Sequence, residues 1–358
     1  MSNASTKQLG NDITVTINVA VAVIYYKDKY LLGFRDKSQH QGNRYEFIGG
    51  KIEAHETANQ ALIREVAEET GIVIHYNTIV KLGRLHHDYG DKKVSLQVYR
   101  VELTSHQYDV YKHQDYGLEG QMLAWVNKSE LLAGSYNLPA ANKTILEWLR
   151  LPSKIAITYP LSHFSTYPDA ATAWLQYHQA HIASDAWVYI RVQDIGSKNV
   201  AKQLMGQRPD IKVIMPDDIN EHYSNHHPAS SHQIIAHHLT QTSLLQWVDE
   251  VKNNAAQLQS LHHPLIVSCH DADSIYAANK LANSRLERQE SPVIGIFLSP
   301  VLATQTHPDA KALGWETWSD LAALADMPVI GLGGLSPNLF TQATQYGATS
   351  IAGIRQFL

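Results

Sequence analysis

Gly50-Lys51-Ile52-Glu53-Ala54-His55-Glu56-Thr57, continued by Leu62-Ile63-Arg64-Glu65-Val66-Ala67-Glu68-Glu69-Thr70-Gly71-Ile72, decides how this 358-residue chain is read. Thr57 and Gln60 have the spacing of a capping box, and Gly71 can adopt the left-handed conformation that stops a helix. The pattern predicts a helix from about Ala58 to Thr70. With about 100° of turn per residue, Glu65, Glu68 and Glu69 share one face. Leu62, Ile63 and Val66 fall on another, where they can tie the helix to a core. Only Ala58 and Ala61 accompany the acids, so nothing bulky shields them.

Such crowding is unfavourable by itself. Like charges three or four residues apart cost roughly 0.2–0.5 kcal/mol per pair. The helix dipole also disfavours anions near the C-terminus. Arg64 can offset Glu68 one turn away, whereas Glu65 and Glu69 have no basic residue four positions off. A hard divalent cation would compensate, because oxygen ligands at this density suit Mg²⁺ or Mn²⁺ carrying substrate phosphates. Three glutamates alone would equally fit a solvated acidic face; the full spacing separates the two readings.

From Gly50 through Glu56, Arg64-Glu65-Val66, Glu68-Glu69 and Gly71-Ile72, the stretch resembles the Nudix box at every defined position. The resemblance implies a Nudix α/β/α sandwich that hydrolyses nucleoside diphosphate linkages with a divalent metal. It implies Glu65, Glu68 and Glu69 as metal ligands with Gly50 at the metal site, and Arg64 as the residue that orients them. The flanks resemble the MutT-type 8-oxo-dGTP diphosphatases: Tyr30-Leu31-Leu32-Gly33-Phe34-Arg35, Tyr45-Glu46-Phe47-Ile48-Gly49-Gly50 and Leu138-Pro139-Ala140-Ala141-Asn142. That likeness implies that Arg35, Phe47 and Asn142 embrace a purine and that Asn142 reads the oxidised base. An amide suits the task because it both donates and accepts. Asn142 would also serve as a helix N-cap. Glu119, in Gly117-Leu118-Glu119-Gly120-Gln121, matches a further metal-site carboxylate, and Lys51 is placed to hold a phosphate oxygen. Ile48 departs from the family, which usually has proline there. The implied chemistry is metal-assisted attack of water on the inner bridge, releasing pyrophosphate and the monophosphate, with Glu65, Glu56 or Glu119 as base.

After Pro152 the rhythm changes. Apolar runs at Ile155–Tyr159, Ala186–Val192, Ile211–Met215, Gln233–Ala236, Pro264–Ser268, Pro292–Phe297, Pro328–Leu332 and Ser350–Gly353 alternate with amphipathic segments. This argues for a parallel sheet closed into a barrel. The segment resembles thiamine phosphate synthase and TenI-like proteins, most clearly from Pro292 onward, which implies a (βα)8 TIM-barrel-like domain. By that likeness Thr304, Thr306, Gly333, Gly334, Gly353 and Ile354 would grip a phosphate-bearing ligand. Departures are substantial. Arg191 alone survives of a Gln-x-Arg-x-Lys strand, Asp217 follows proline where Asn-Asp is usual, and Ser274 and His307 stand where glutamate and lysine are expected. No metal-binding aspartate lies near His238-Leu239-Thr240-Gln241, although Ser268 and His270 persist. Synthase activity is therefore expected to be absent. A barrel lacking the last helix, after the eighth strand, is expected. The Ala141–Leu151 helix, the N-terminal domain or the second subunit of a homodimer is expected to cover that strand.

Composition bounds the rest. The expected division is residues 1–152 and 153–358. Lys plus Arg against Asp plus Glu is 17 to 17 over residues 1–150 and 12 to 17 over 151–358, so neither half carries the basic excess of a direct nucleic-acid binder. Cys269 is the sole cysteine, which excludes a disulfide framework and fits a reducing compartment. No apolar run reaches membrane length and the N-terminus is polar, so a cytoplasmic protein without signal peptide or membrane contact is expected. The paired histidines, such as His237-His238, lack a well-spaced third ligand and read as surface residues. Three functions follow. The first is hydrolysis of oxidised purine nucleoside triphosphates, the second is the same chemistry on thiamine diphosphate or damaged analogues, and the third is a barrel acting as sensor or scaffold for the N-terminal domain.

Overall fold

The computed structural model describes residues 16–38, 42–88, 90, 92–191, 195–216, 232–252, 263–304 and 311–358. Thr306, Asp217 and His307 lie outside the described residues.

The N-terminal half is built on β1 (Thr16–Tyr26). It turns back into β2 (Lys29–Arg35) and pairs antiparallel with it. After β3 (Arg44–Glu46), β4 (Ile48–Lys51) returns antiparallel to β1. β5 (Ile79–Asp88) and β6 (Lys93–Glu102) form the second hairpin, and β6 runs parallel to β1. β7 (Met122–Asn127) joins β2, completing a seven-stranded mixed sheet.

Residues of β1 alternate between two cores, as a strand covered on both faces must. Ala20, Ala22 and Ile24 pack with Leu62 and Val66 of α1 (Ala58–Thr70). Val21 and Val23 face the core that holds Ile145 and Trp148. α2 (Ser105–Tyr111) and α3 (Lys128–Leu132) precede α4 (Asn142–Leu149), which carries Ile145 and Trp148. This is the α/β/α sandwich expected. The caps of α1 are also as read: Thr57 and Gln60 bond reciprocally, and Gly71 closes the helix at φ 77°.

All eight expected barrel strands are present and parallel: β8 (Lys154–Ile157), β9 (Trp187–Tyr189), β10 (Lys212–Pro216), β11 (Ile234–Leu239), β12 (Leu265–Cys269), β13 (Val293–Leu298), β14 (Val329–Leu332) and β15 (Ser350–Gly353). β15 pairs with β8 and closes the ring. Helices Ala170–His181, Ile195–Gln207, Gln241–Lys252, Ala272–Glu287, Trp315–Leu324 and Phe340–Gln345 alternate with the strands.

The two halves meet at the N-terminal ends of barrel strands six and seven. Trp148 Nε1 donates to Val293 O at 3.1 Å, and the Arg84 amide donates to Asp326 O at 3.1 Å. The Arg84 guanidinium pairs with the Asp326 carboxylate, Nε to Oδ1 3.0 Å. Gly83 admits this approach, because a Cβ there would fall 2.6 Å from Asp326 O and 2.8 Å from Trp148 Cη2. One expectation is corrected. α4 rests on the start of β13 and not on strand eight. Strand eight is met by helix Phe340–Gln345 and by a 3-10 turn, Arg355–Phe357, whose Phe357 ring occupies the space a Cβ on Gly353 would need.

A second correction concerns histidine. His237 and His238 are buried in β11, not on the surface. His178 is also buried; its Nδ1 is 2.7 Å from Trp174 O, while Nε2 accepts from the Tyr159 amide at 3.0 Å. Both nitrogens are thus used by the neutral ring. Burial pushes each of these three rings down from 6.5 to about 4. The unfolded chain therefore takes up the proton first. The contribution to stability is complete above about 6.5 and lost as pH falls toward 4. For His178 alone the expected loss between pH 7 and pH 5 is about 2 kcal/mol, read from denaturant melts. A flat profile over that range would contradict a buried neutral ring.

Candidate active site

Arg64 organises the acidic face of α1. Nε and Nη2 bond the two oxygens of Glu56 at 3.1 and 2.6 Å. Nη1 reaches Glu65 Oε1 at 2.8 Å and Glu68 Oε2 at 2.9 Å, and Nη2 also donates to Lys51 O at 3.1 Å. The sequence suggested one partner, Glu68; the guanidinium holds three carboxylates. Glu56 comes from the loop ahead of the helix, and its bonds to Arg64 hold its carboxyl below the usual range.

Arg64 relieves Glu65 only in part, and no bond from Arg64 reaches Glu69 among the described residues. Glu65 is raised mainly by burial; Arg64 partly offsets this, and Glu68 and Glu119 add to it. Its carboxylate lies against Gly50, where a Cβ would fall 2.2 Å from Glu65 Cδ. Glu69 is pushed up to about 8, first by burial, with Glu46, Glu65 and Glu119 adding repulsion; a hydrogen bond from the Gly49 amide (3.2 Å) opposes the shift. Glu119 sits exposed on the loop beyond the helix end, close enough to act on both.

These residues fit a hard divalent cation. The donors are all carboxylate oxygens, bare Gly50 leaves room beside Glu65, and a carboxyl raised to about 8 is short of positive charge. Among the described residues, no three His, Cys, Asp or Glu side chains already stand as a metal-holding group. Arg64 engages oxygens of Glu56, Glu65 and Glu68.

Beside the carboxylates, β2, β3 and the start of α4 come together. Arg35 makes a bidentate pair with Glu46, with Nε to Oε1 at 2.9 Å and Nη2 on Oε2. The Tyr45 amide donates to Asn137 O at 2.9 Å, tying β3 to the segment that leads into α4. Phe47 is buried with Ala141 and Ile145. Asn142 is 6% exposed, and the N-cap position belongs to Ala141. Among the described residues the Asn142 side-chain amide has no hydrogen-bond partner, so it is not spent on capping. The Lys51 side chain is exposed.

Two residues escaped the sequence reading. Glu46 stood unassigned beside Phe47; its pairing with Arg35 depends on strand register. Gln121 stood in the same short run as Glu119; its amide reaches Glu69 O at 3.1 Å.

In the barrel, Gly333 (φ 96°) and Gly334 (φ 69°) follow β14, while Gly353 and Ile354 end β15, so the structure gathers them at the C-terminal end of adjacent strands. Both paired glycines also pack tightly: a Cβ on Gly333 would meet Pro300 at 2.7 Å, and one on Gly334 would meet Ala303 O at 2.6 Å. Thr304 borders this segment, and Thr306 is outside the described residues. His238 Nε2 lies 2.7 Å from Ser268 Oγ, and His270 Nδ1 lies 2.8 Å from Ser299 O.

The NUDIX domain family matches residues 19–148, and the thiamine monophosphate synthase family matches residues 229–357. The chain belongs to the Nudix hydrolases through its N-terminal half and carries a TenI-like barrel behind it. It is similar to the 8-oxo-dGTP diphosphatase of Escherichia coli, 29% identical over 135 residues, which are 37% of this chain and 96% of that protein. It is likewise similar to the 8-oxo-dGTP diphosphatase of Haemophilus influenzae, 33% identical over 134 residues, 37% of this chain and 90% of that protein. The barrel is similar to a putative thiamine-phosphate synthase 2 of Aquifex aeolicus, 31% identical over 83 residues, which are 23% of this chain and 44% of that protein. No helix among the described residues is long and apolar enough to cross a membrane.

Gly50→Ala is expected to displace Glu65 and lower metal-dependent hydrolysis roughly 10- to 100-fold. The melting temperature should change little, because the displaced group is a flexible side-chain end. Unchanged hydrolysis would show that the contact between Gly50 and Glu65 has no bearing on the site.

Proposed function

We propose that this protein hydrolyses 8-oxo-dGTP and related oxidised purine nucleoside triphosphates to monophosphate and pyrophosphate, using Mg²⁺ or Mn²⁺, in the cytoplasm. One observation carries the reading: the Glu65 carboxylate lies against a bare Gly50, and Glu65 and Glu69 are raised by burial and by acidic neighbours that include Glu119. Relatives matched over nearly their whole length bear the name 8-oxo-dGTP diphosphatase, which supports the substrate class.

Glu65, Glu68, Glu69 and Glu119, with the Gly50 backbone, would hold the cation. Such a cation would supply charge neutralisation to the triphosphate and acidity to a bound water. Both oxygens of Glu56 are taken by Arg64, so Glu56 anchors Arg64 and the water's proton passes to Glu65 or Glu119. Lys51 holds a phosphate oxygen, Arg35 and Phe47 bound the purine, and the Asn142 amide meets the oxidised edge with both donor and acceptor. Residues 1–152 form the hydrolase domain and 153–358 the barrel. The barrel takes a phosphate-bearing ligand at Thr304, Thr306, Gly333, Gly334, Gly353 and Ile354 and does not make thiamine phosphate, since its sequence lacks the carboxylates that such charge development requires.

The test is pyrophosphate release from 8-oxo-dGTP and dGTP with Mg²⁺, and phosphate release from thiamine diphosphate. The expected order places 8-oxo-dGTP first; preference for thiamine diphosphate would replace this reading with one centred on the barrel's relatives. Glu65→Gln and Glu69→Gln should each lower turnover at least 10-fold to 100-fold. Asn142→Ala should cut discrimination between 8-oxo-dGTP and dGTP roughly tenfold, the worth of about one hydrogen bond. Discrimination that survives Asn142→Ala removes that residue from base reading.

A further inference from the structure

The last turn of a helix leaves carbonyl groups without partners along the chain. For α1 they are satisfied from the segment that leads to β7. Glu69 O accepts from the Leu118 amide at 2.8 Å and from Gln121 Nε2 at 3.1 Å. Thr70 O accepts from Gln114 Nε2 at 3.2 Å, and Gly71 O accepts from the Tyr111 hydroxyl at 2.8 Å. The approach is close: a Cβ on Gly117 would fall 2.3 Å from Glu69 O and 2.5 Å from the Gln121 amide.

Gln121 differs from the other caps in one respect. The same Nε2 that caps the backbone of Glu69 also lies 3.4 Å from Glu69 Oε2. The other carboxylate oxygen, Oε1, is held by the Gly49 amide at 3.2 Å. Glu69 is therefore fixed at both oxygens, from the β4 side by Gly49 and from the loop side by Gln121. Glu119 is carried by that same loop, whose turn is closed by Gly117 N to Gln121 O at 2.8 Å. Gln121 Oε1 is buried with no hydrogen-bond partner, so the amide is seated for what its nitrogen does.

We infer that Gln121 is a positioning residue for the metal carboxylates: it locks the Glu69 side chain and joins it to the Glu119 loop, so that ligands from two separate elements address one cation. The inference rests on the metal-dependent reading above. A glutamine suits the post because it donates without bringing a charge; a lysine there would compete with the ion, and a glutamate would repel Glu69. A cap alone would need only the bond to the backbone, as Gln114 shows on the neighbouring carbonyl.

The experiment compares Gln121→Met with Gln114→Met in the full-length, substrate-free chain. Each variant removes one side-chain cap from the same helix end, but only the first touches a carboxylate. Mn²⁺ affinity is read from the EPR signal of free Mn²⁺ during titration, and stability from melts without metal. Gln121→Met is expected to weaken Mn²⁺ binding by about 10-fold to 100-fold. Gln114→Met should leave affinity within about twofold, the scale expected of a residue that touches no ligand. Equal affinities for the two variants would overturn the inference and leave Gln121 as a helix cap. If Gln121→Met does not fold, Gln121→Asn withdraws the amide by one methylene and is judged by the same two outcomes. A wild-type chain that fails to bind Mn²⁺ overturns the metal reading and this inference with it. Wild-type binding that Gln121→Met leaves intact overturns the inference alone.

Discussion

A single guanidinium ties together three of the carboxylates gathered around α1. Arg64 can satisfy Glu56, Glu65 and Glu68 together because it presents several N–H donors in a plane. Glu69 lies beyond that grip, and burial with three acidic neighbours holds its proton near neutrality. The helix, the loop before it and the loop after it are all arranged around this imbalance. Gly50 yields space to Glu65, Gly49 and Gln121 orient Glu69, and Gly117 lets the Glu119 loop close over the helix end.

The fold supports that cleft by covering β1 on both faces. One side is closed by α1 and the other by α4 and the barrel, so the strand beneath the site is rigidly packed. The barrel meets the N-terminal half at the starts of its sixth and seventh strands, through Trp148, Arg84 and Gly83. Gly333, Gly334 and Gly353 lie at the opposite ends of barrel strands. The barrel glycines therefore lie at the ends of the strands opposite to those that Trp148 and Arg84 contact.

Local features were the most legible. The ends of α1 were readable because a capping box and a left-handed glycine act within a few residues. Eight barrel strands were readable because parallel strands, buried on both faces, appear as short continuous apolar runs. Features that needed register or packing were not. Arg35 and Glu46 pair only because β2 and β3 align them, and Gln121 meets Glu69 only because a loop folds back over the helix end. His237 and His238 looked like surface residues since adjacent side chains on an exposed strand face opposite ways, yet β11 lies inside the barrel wall and buries both.

By itself the sequence determined the acidic helix, its limits, the Nudix class of the chemistry and the strand–helix rhythm of the second half, because each depends on spacing along the chain. The tertiary structure alone decided which oxygens Arg64 holds, which carboxyl keeps its proton, where α4 rests and what meets the eighth strand. Those outcomes depend on burial and on distances between residues far apart in sequence, and neither quantity is written into any short stretch of it.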